Sequence, residues 1–406
     1  SGKNSIKTLK KITNIKKIIP NKTILTYLRF KKETIDQVII THFKQPYSFT
    51  GEDMFEINCH GSTAIISKIF KILNVLGLRL AEPGEFTKRS LLNNKLDLLQ
   101  VEGLSDLINA ETEKQRSLAI SGLEGRLSVF IKKINSDISL ILANTEALID
   151  FSDEDLPKNL FKTIKEQNKN ITKRIEKELK NAEISKSIRG GFFVSLIGRP
   201  NTGKSSFINY ISKKEVSIVT NIPGTTTDTI TSILDIGGYK FTFIDTAGLR
   251  KHKNKIEEIG IKKTIETSSK SDLNLVFLDK NEINKFQDIE NKIFVRSKLD
   301  KRRKTNKENG IINISSFTGE GVESLLKKIR KILIKRQKNE PILSRERHIN
   351  IMKKVYMELK SIDPNDSLDI QSYKYRQALA LSLEINQKFD IENILDIIFK
   401  DFCIGK

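Results

Sequence analysis

The sequence predicts an α/β protein in which a phosphate-binding domain with a mostly parallel sheet is inserted between two helical segments, behind a small α+β domain at the N-terminus. Three observations predict it. Residues 198–205 read GRPNTGKS between the strand-like FFVSLI and the helix-like SFINYIS. Between about 188 and 334 the strand-like runs FFVSLIG, KFTFIDTAG, LNLVFLD, KIFVRSK and IINISS alternate with helical stretches, the pattern of a parallel sheet with crossover helices. The sequence on both sides of that block is helical, so the two flanking pieces are expected to pack together as one domain. The domains are then 1–94 (N-terminal α+β), 95–187 (helical, first part), 188–334 (inserted α/β) and 335–406 (helical, second part).

In chain order, TILTYLRF, DQVIITHF and DMFEINCHG are rich in β-branched and aromatic residues and read as strands, with TAIISKIFKILNVLG as a helix beside them. From about 95 the period changes. Leu123, Leu127, Ile131, Ile134, Ile138, Ile141, Thr145 and Leu148 recur every three or four residues, which predicts one face of a long amphipathic helix. The acidic, proline-bearing DFSDEDLP at 150–157 breaks it, and a lysine-rich helical stretch follows to about 187. Those lysines read as a solvated helix face, with contact to RNA as the other reading. The remainder, from about 335, is helical again.

Composition narrows the class. The chain has 406 residues, 38% hydrophobic and 30% charged, which suits globular domains rather than disorder. No apolar run approaches the ~18 residues of a membrane-spanning helix. The two cysteines, Cys59 and Cys403, cannot make a disulfide framework, so a reducing, cytoplasmic compartment is expected. His60 beside Cys59 makes no metal site on its own. A formal charge of +21, from 71 Lys+Arg against 50 Asp+Glu, favours an anionic partner such as RNA, although lysine is abundant along the whole chain. The chain opens at Ser1 without a methionine, so a preceding segment is expected to be missing.

GRPNTGKS fits G-x-x-x-x-G-K-[ST] in its required strand-to-helix context. Backbone N–H groups along Asn201, Thr202, Gly203, Lys204, Ser205 and Ser206 would wrap the phosphates, Lys204 would reach the β/γ oxygens, and Ser205 would offer its hydroxyl to Mg²⁺. DTAG, with Asp245, Thr246, Ala247 and Gly248, closes the strand FTFI, where Asp245 would orient the magnesium shell and the Gly248 amide would sense the γ-phosphate. Between them lies TNIPGTTTD, the polar loop of Thr220, Asn221, Ile222, Pro223, Gly224, Thr225 and Thr226, with Thr226 chosen as the second magnesium ligand. SKLD at 297–300 stands where GTPases carry Asn-Lys-x-Asp. Asp300 would accept from the guanine ring N–H and amino group together, and Lys298 would cover the ring face. Ser297 replaces the usual asparagine, so one contact is shortened or lost, at about 1 kcal/mol for a neutral hydrogen bond. Ser315 and Ser316, before the turn FTGEG, match the element whose backbone abuts the base. The ligand is therefore expected to be GTP with Mg²⁺.

Leu249 follows DTAG where signalling GTPases place a water-orienting glutamine, and leucine can neither donate nor accept a hydrogen bond. Asn201, which could coordinate a monovalent cation beside the phosphates, and Glu257 in KIEEIG, which could hold the water, are the candidate replacements.

The set GRPNTGKSS, TNIPGTTTD, DTAGLR, IEEIGI and terminal CIGK resembles the tRNA modification GTPases of the MnmE/TrmE family. The likeness extends through YSFTGEDMFEINCHG at 47–61, PGEFTKRSLLNNKLDLLQVE at 83–102 and DFSDED at 150–155. It implies an N-terminal folate-binding-type domain, a long-helix domain and an inserted P-loop GTPase domain. It also implies GTP hydrolysis activated by K⁺ and by pairing of G domains in a homodimer. By position, Asn201, Thr220, Ile222 and Thr225 would be potassium ligands, Ser205 and Thr226 magnesium ligands, and Glu257 the residue that positions water. Glu56, Lys95 and Lys406 match folate-contacting positions, the folate being 5-formyl- or methylene-tetrahydrofolate. An FAD-containing partner protein would act with the chain on C5 of the wobble uridine of certain tRNAs. Three departures stand out: the glycine-rich segment that precedes Ser1 in the family, Ser297, and Thr227 where many members carry arginine.

The terminal DFCIGK raises a lipid anchor, a reactive thiol or a frayed tail. Prenylation fails because Gly405 is not aliphatic and Lys406 is not a usual terminal residue. The tail resembles the family's C-[ILV]-G-K ending, which makes Cys403 a thiol directed at the modification site. A ribosome-assembly GTPase that binds RNA as a switch and a lipid-anchored signalling GTPase are the rival readings, the first weakened by the folate-type N-terminal domain that the resemblance implies.

Overall fold

The computed structural model describes the chain except for residues 16, 152–156, 158, 215, 218–229, 246–268, 270, 280–282, 302–309, 335–340 and 387–406. The chain divides into two compact units. One holds Ser1–Ile108, Ala119–Ser136 and the described residues from Ser382 on; the other holds Asn109–Leu118 and Asp137–Leu381.

The first unit is built on a three-stranded antiparallel sheet in the order β1 (Thr23–Phe30), β2 (Glu33–Phe43), β3 (Met54–Asn58). Lys31 and Lys32 turn β1 into β2, both at left-handed φ (46° and 70°), which matches the twist of a two-residue hairpin. One face packs against helices α1 (Ser5–Ile12) and α2 (Thr63–Val75), burying Leu9, Ile12, Leu28, Val38, Ile40, Ile69 and Ile72. Alternate residues point the other way, so Leu25, Tyr27 and Ile39 stay exposed. Helices α3 (Glu85–Leu92) and α4 (Leu98–Ile108) complete the unit, joined by residues of α5 (Glu113–Leu123) and α6 (Arg126–Asp150). At the α4–α5 crossing a Cβ on Gly103 would lie 2.5 Å from the Leu123 backbone nitrogen, so only glycine permits this approach.

The expected long helix is real but starts later. Leu127, Ile131, Ile134, Ile138, Ile141, Thr145 and Leu148 are its buried stripe, whereas Leu123 ends α5, and Gly125 at φ 79° breaks the chain between them. A break of two residues preserved the helical phase, so periodicity ran through it.

The second unit carries a seven-stranded sheet in the order β10-β9-β8-β4-β7-β6-β5. The strands are β4 (Phe192–Gly198), β5 (Val216–Ser217), β6 (Ile230–Ile236), β7 (Tyr239–Asp245), β8 (Leu273–Phe277), β9 (Lys292–Arg296) and β10 (Ile311–Asn313). From β10 to β7 all neighbours are parallel, while β5 and β6 are added antiparallel. Helices α8 (Lys204–Lys214) and α9 (Val322–Leu333) pack on it, with Phe207 between Phe243 and Phe277 at ring separations of 6.2 and 5.8 Å. The α/β fold class with a mostly parallel sheet is therefore present as expected.

Helix α7 (Leu160–Gly190) precedes this sheet in the chain; α10 (Glu346–Lys360) and α11 (Leu368–Glu384) follow it. The two sides meet. Asn168 Nδ2 donates to Leu359 O at 3.2 Å, Ser185 Oγ to Leu343 O at 2.5 Å, and Arg376 pairs with Glu146 at 2.6 Å. Packing of α7 against α10 thus brings together the helices that precede and follow the sheet in the chain.

Candidate functional site

Parallel strands buried on both faces can present chemistry only at their ends, and the carboxyl ends of β4, β7, β9 and β10 lie along one side of the sheet. The loop after β4 needs unusual backbone. Gly198 has φ 148°, and a Cβ there would come 2.5 Å from Phe277 O; Asn201 (φ 62°) and Gly203 (φ 94°) are also left-handed. Thr202 Oγ1 closes the turn by donating to Arg199 O at 2.8 Å.

Lys204 opens α8 and is 3% exposed; its Nζ donates to Gly198 O at 2.9 Å and Arg199 O at 2.8 Å. The loop thus gathers around a buried positive charge that a phosphate can take over. Ser205 Oγ donates to Asp245 Oδ2 at 3.1 Å, joining the loop to the end of β7. A hydroxyl and a carboxylate this close are hard oxygen donors of the kind that suits magnesium. Ser206 lies exposed in the first turn of α8.

The loop after β9 is stitched to the phosphate loop. Ser297 Oγ donates to Thr202 O at 2.5 Å and Lys298 Nζ to Asn201 O at 2.7 Å, with Lys298 itself at φ 60°. Asp300 is fixed from just beyond β10: Ser315 Oγ donates to Asp300 Oδ1 at 2.6 Å, and Ser315 Oγ itself accepts from Thr318 N at 3.1 Å. The Ser315 hydrogen bond holds the Asp300 carboxyl below the usual carboxylate range, so it is an ionised acceptor at neutral pH. Ser316 Oγ is buried and has no hydrogen-bond partner among the described residues. The sequence placed Ser315 at the base through its backbone; its hydroxyl as the clamp on Asp300 needed the fold.

Asn201, Thr202, Gly203, Lys204, Ser205, Asp245, Ser297, Lys298, Asp300, Ser315 and Ser316 are thus brought to the carboxyl end of one sheet. Thr220, Asn221, Ile222, Pro223, Gly224, Thr225, Thr226, Thr246, Ala247, Gly248, Glu257, Cys403 and Lys406 lie outside the described residues.

In the other unit, Glu56 is exposed on β3 opposite Thr41 of β2, and exposed Lys95 packs its stem 3.2 Å from the Cβ position of Gly51. The same unit holds a charge network that no sequence motif marks. The Glu85 carboxylate accepts from Arg79 at 2.7 Å through both oxygens and from Arg89 at 2.6 Å, and Arg89 also donates to Glu52 at 2.8 Å. Hydrogen bonding to Arg79 is the main cause that pulls the Glu85 pKa down to about 2. Arg79, Glu85, Phe86 and Arg89 line a cavity of about 220 Å³.

Comparison with known proteins covers the whole chain. A family model described as the N-terminus of the GTP-binding protein TrmE matches residues 1–95, and one described as the MnmE helical domain matches residues 98–403. The chain is 37% identical to the tRNA modification GTPase MnmE of Rickettsia bellii, over 100% of this chain and 95% of that one. It is 36% identical to the protein of the same name from Roseobacter denitrificans, over 95% of this chain and 91% of that one. Among solved structures, the G domain of the T. maritima FeoB iron transporter is 24% identical and aligns with a TM-score of 0.27, covering 35% of this chain and 98% of that one. The matches through both of its ends, at more than a third identity across nearly the full length of curated relatives, show that this chain belongs to the MnmE family of tRNA modification GTPases.

Proposed function

We propose that the chain hydrolyses GTP to GDP and phosphate in a potassium-activated reaction, and that this turnover serves the modification of certain tRNAs at C5 of the wobble uridine. The observation that carries the nucleotide reading is the pairing of Asp300 with Ser315 beside the phosphate loop. An ionised acceptor held there matches the two donors of guanine and repels the acceptor edge of adenine. Family membership carries the tRNA reading.

Within the site, Lys204 places a fixed cation at the phosphates, and the loop from Asn201 to Ser206 offers backbone N–H groups to their oxygens. Ser205 and Thr226 would hold magnesium. Asn201, Thr220, Ile222 and Thr225 would hold potassium. Bound there, the two cations would supply positive charge against the negative charge that grows on the phosphate oxygens in the transition state. Glu257 orients the attacking water, a task Leu249 cannot perform.

The remaining chemistry follows the family. Glu56, Lys95 and Lys406 would hold a 5-formyl- or methylene-tetrahydrofolate, which supplies the one-carbon unit, and Cys403 would bring a thiol to the same place as nucleophile or redox group. The flavin belongs to an FAD-containing partner protein. A homodimer is supported by the exposed Leu25, Tyr27 and Ile39 on one face of the three-stranded sheet. No described helix is long and apolar enough to cross a membrane, and a cytoplasmic location accords with the use of tRNA.

The test is GTP hydrolysis at matched ionic strength in potassium and in sodium, with faster turnover expected in potassium; equal rates remove the cation from the mechanism. Glu257→Ala is expected to lower turnover while leaving nucleotide affinity nearly intact, and a parallel loss of binding counts against a water-positioning role. Mass spectrometry of wobble nucleosides from cells lacking the protein tests the tRNA reading, which unchanged modification would sink. Cys403→Ser that keeps full modification activity refutes a chemical role for the thiol.

A further inference from the structure

Ser297 takes the first position of the base loop, where asparagine is usual, and its chemistry differs in one countable way. A serine hydroxyl has a single donor hydrogen, whereas an asparagine amide has two. That single donor is already engaged: Ser297, 6% exposed, donates to the Thr202 carbonyl at 2.5 Å. The phosphate loop lies against the Ser297 hydroxyl itself, since a Cβ on Gly203 would fall 2.5 Å from Ser297 Oγ. Lys298 Nζ is drawn to the neighbouring Asn201 carbonyl, so the first two residues of the base loop both serve the phosphate loop.

Guanine offers two kinds of edge. Its ring N–H and amino group are donors, and the Asp300 carboxylate answers them. O6 and N7 are acceptors and require donors from the protein. With the Ser297 hydrogen on Thr202 O, the described donors left for this edge are those of the Ser315–Ser316 turn, whose buried Ser316 hydroxyl has no partner among the described residues, and they are assigned to O6.

We infer that this chain leaves guanine N7 unread. Ser297 is a positioning residue that ties the base loop to the phosphate loop, and base selection rests on Asp300 with the Ser315–Ser316 turn. This rests on the GTPase reading above and extends it to the substrate range: a guanine nucleotide altered only at ring position 7 is accepted as well as the natural one.

The experiment is competition binding to the full chain with GDP, 7-deaza-GDP, IDP and ADP in magnesium buffer. GDP and 7-deaza-GDP are expected to bind within about twofold of each other. IDP, which lacks the amino group facing Asp300, is expected to bind at least ~10-fold more weakly, as for loss of a hydrogen bond to a charged group. In Ser297→Asn the second amide hydrogen becomes available, and GDP is expected to gain about fivefold over 7-deaza-GDP, the worth of one neutral hydrogen bond. Ser297→Ala, which cuts the tie alone, is expected to weaken both nucleotides equally. A native chain that binds 7-deaza-GDP fivefold or more below GDP overturns the inference while leaving the guanine reading intact. So does a Ser297→Asn chain, folded by circular dichroism, that still makes no distinction. ADP binding as tightly as GDP overturns the guanine reading itself.

Discussion

In the seven-stranded sheet β8 is buried along its whole length, whereas in the three-stranded sheet every second residue from Thr23 to Tyr27 is exposed. The difference decides where chemistry can sit. A parallel sheet covered on both faces has no free face, so its site forms from loop backbone at the strand ends. Its parts are carbonyls, left-handed turns and one buried lysine. An open antiparallel sheet presents a face, so what the N-terminal unit offers is side chains: Glu56 on β3, and elsewhere in the unit the Arg79–Glu85–Arg89–Glu52 network. The first kind of site tolerates almost no change in the backbone. The second tolerates change in shape but depends on charge.

The largest expected effect tests the first half of that contrast. Lys204→Ala should lower GTP turnover by about 100-fold or more, since it removes a preorganised charge from the reacting phosphate. Arg89→Ala, in the other unit, should leave turnover within about twofold. Single-turnover hydrolysis separates them, and a large Arg89 effect would break the division of labour.

Two glycines sharpen it. Gly198→Ala forces a Cβ against Phe277 O, and Gly103→Ala forces one against the Leu123 backbone. Each should cost about 2–3 kcal/mol in urea unfolding, the range for overpacking. Only Gly198→Ala should also weaken GDP. Equal loss of GDP binding in both would show that the site does not depend on its own loop.

The acid response should come from the charge network. The Glu85 pKa is depressed to about 2, so the stability it contributes is fully present above its unfolded value near 4.5 and is lost as pH falls through about 2. Glu85→Gln should therefore remove about 1–2 kcal/mol at pH 7, discounted because Arg79 is largely exposed, and should flatten the stability profile below pH 4.5. Urea midpoints at pH 7 and pH 3 check this; an unchanged profile would assign the acid response elsewhere.

The smallest effect on folding is expected for Leu25→Ser on the open sheet face, within about 0.5 kcal/mol. The same change should reduce self-association in sedimentation. Unaltered association would remove that face from the proposed homodimer.

Much of this contrast was legible. The strand TILTYLRF matches β1, FFVSLIG matches β4, and GRPNTGKS lies between β4 and α8 as its motif requires. What escaped has identifiable causes. Strand β6 was passed over because Thr231, Ser232 and Asp235 dilute its apolar pattern, although Gly237–Gly238 before β7 is a hairpin signal that could have revealed it. The β1–β2 hairpin turns on Lys31–Lys32 rather than on Asn-Gly, so no local residue announces it. The break at Gly125 kept the helical phase and was invisible to periodicity.

Sequence by itself determined the alternation of strand and helix, the phosphate loop and the place of Asp300 after β9, because each depends on residues close together in the chain. Tertiary structure alone decided what Ser297 does with its single hydrogen and which group clamps Asp300. The Ser297–Thr202 bond joins residues 95 apart, and Glu52 meets Arg89 across 37. No local pattern encodes such a pair, since the donor is a common serine and the acceptor a backbone carbonyl that every residue possesses. Only the convergence of strand ends selects one carbonyl among them.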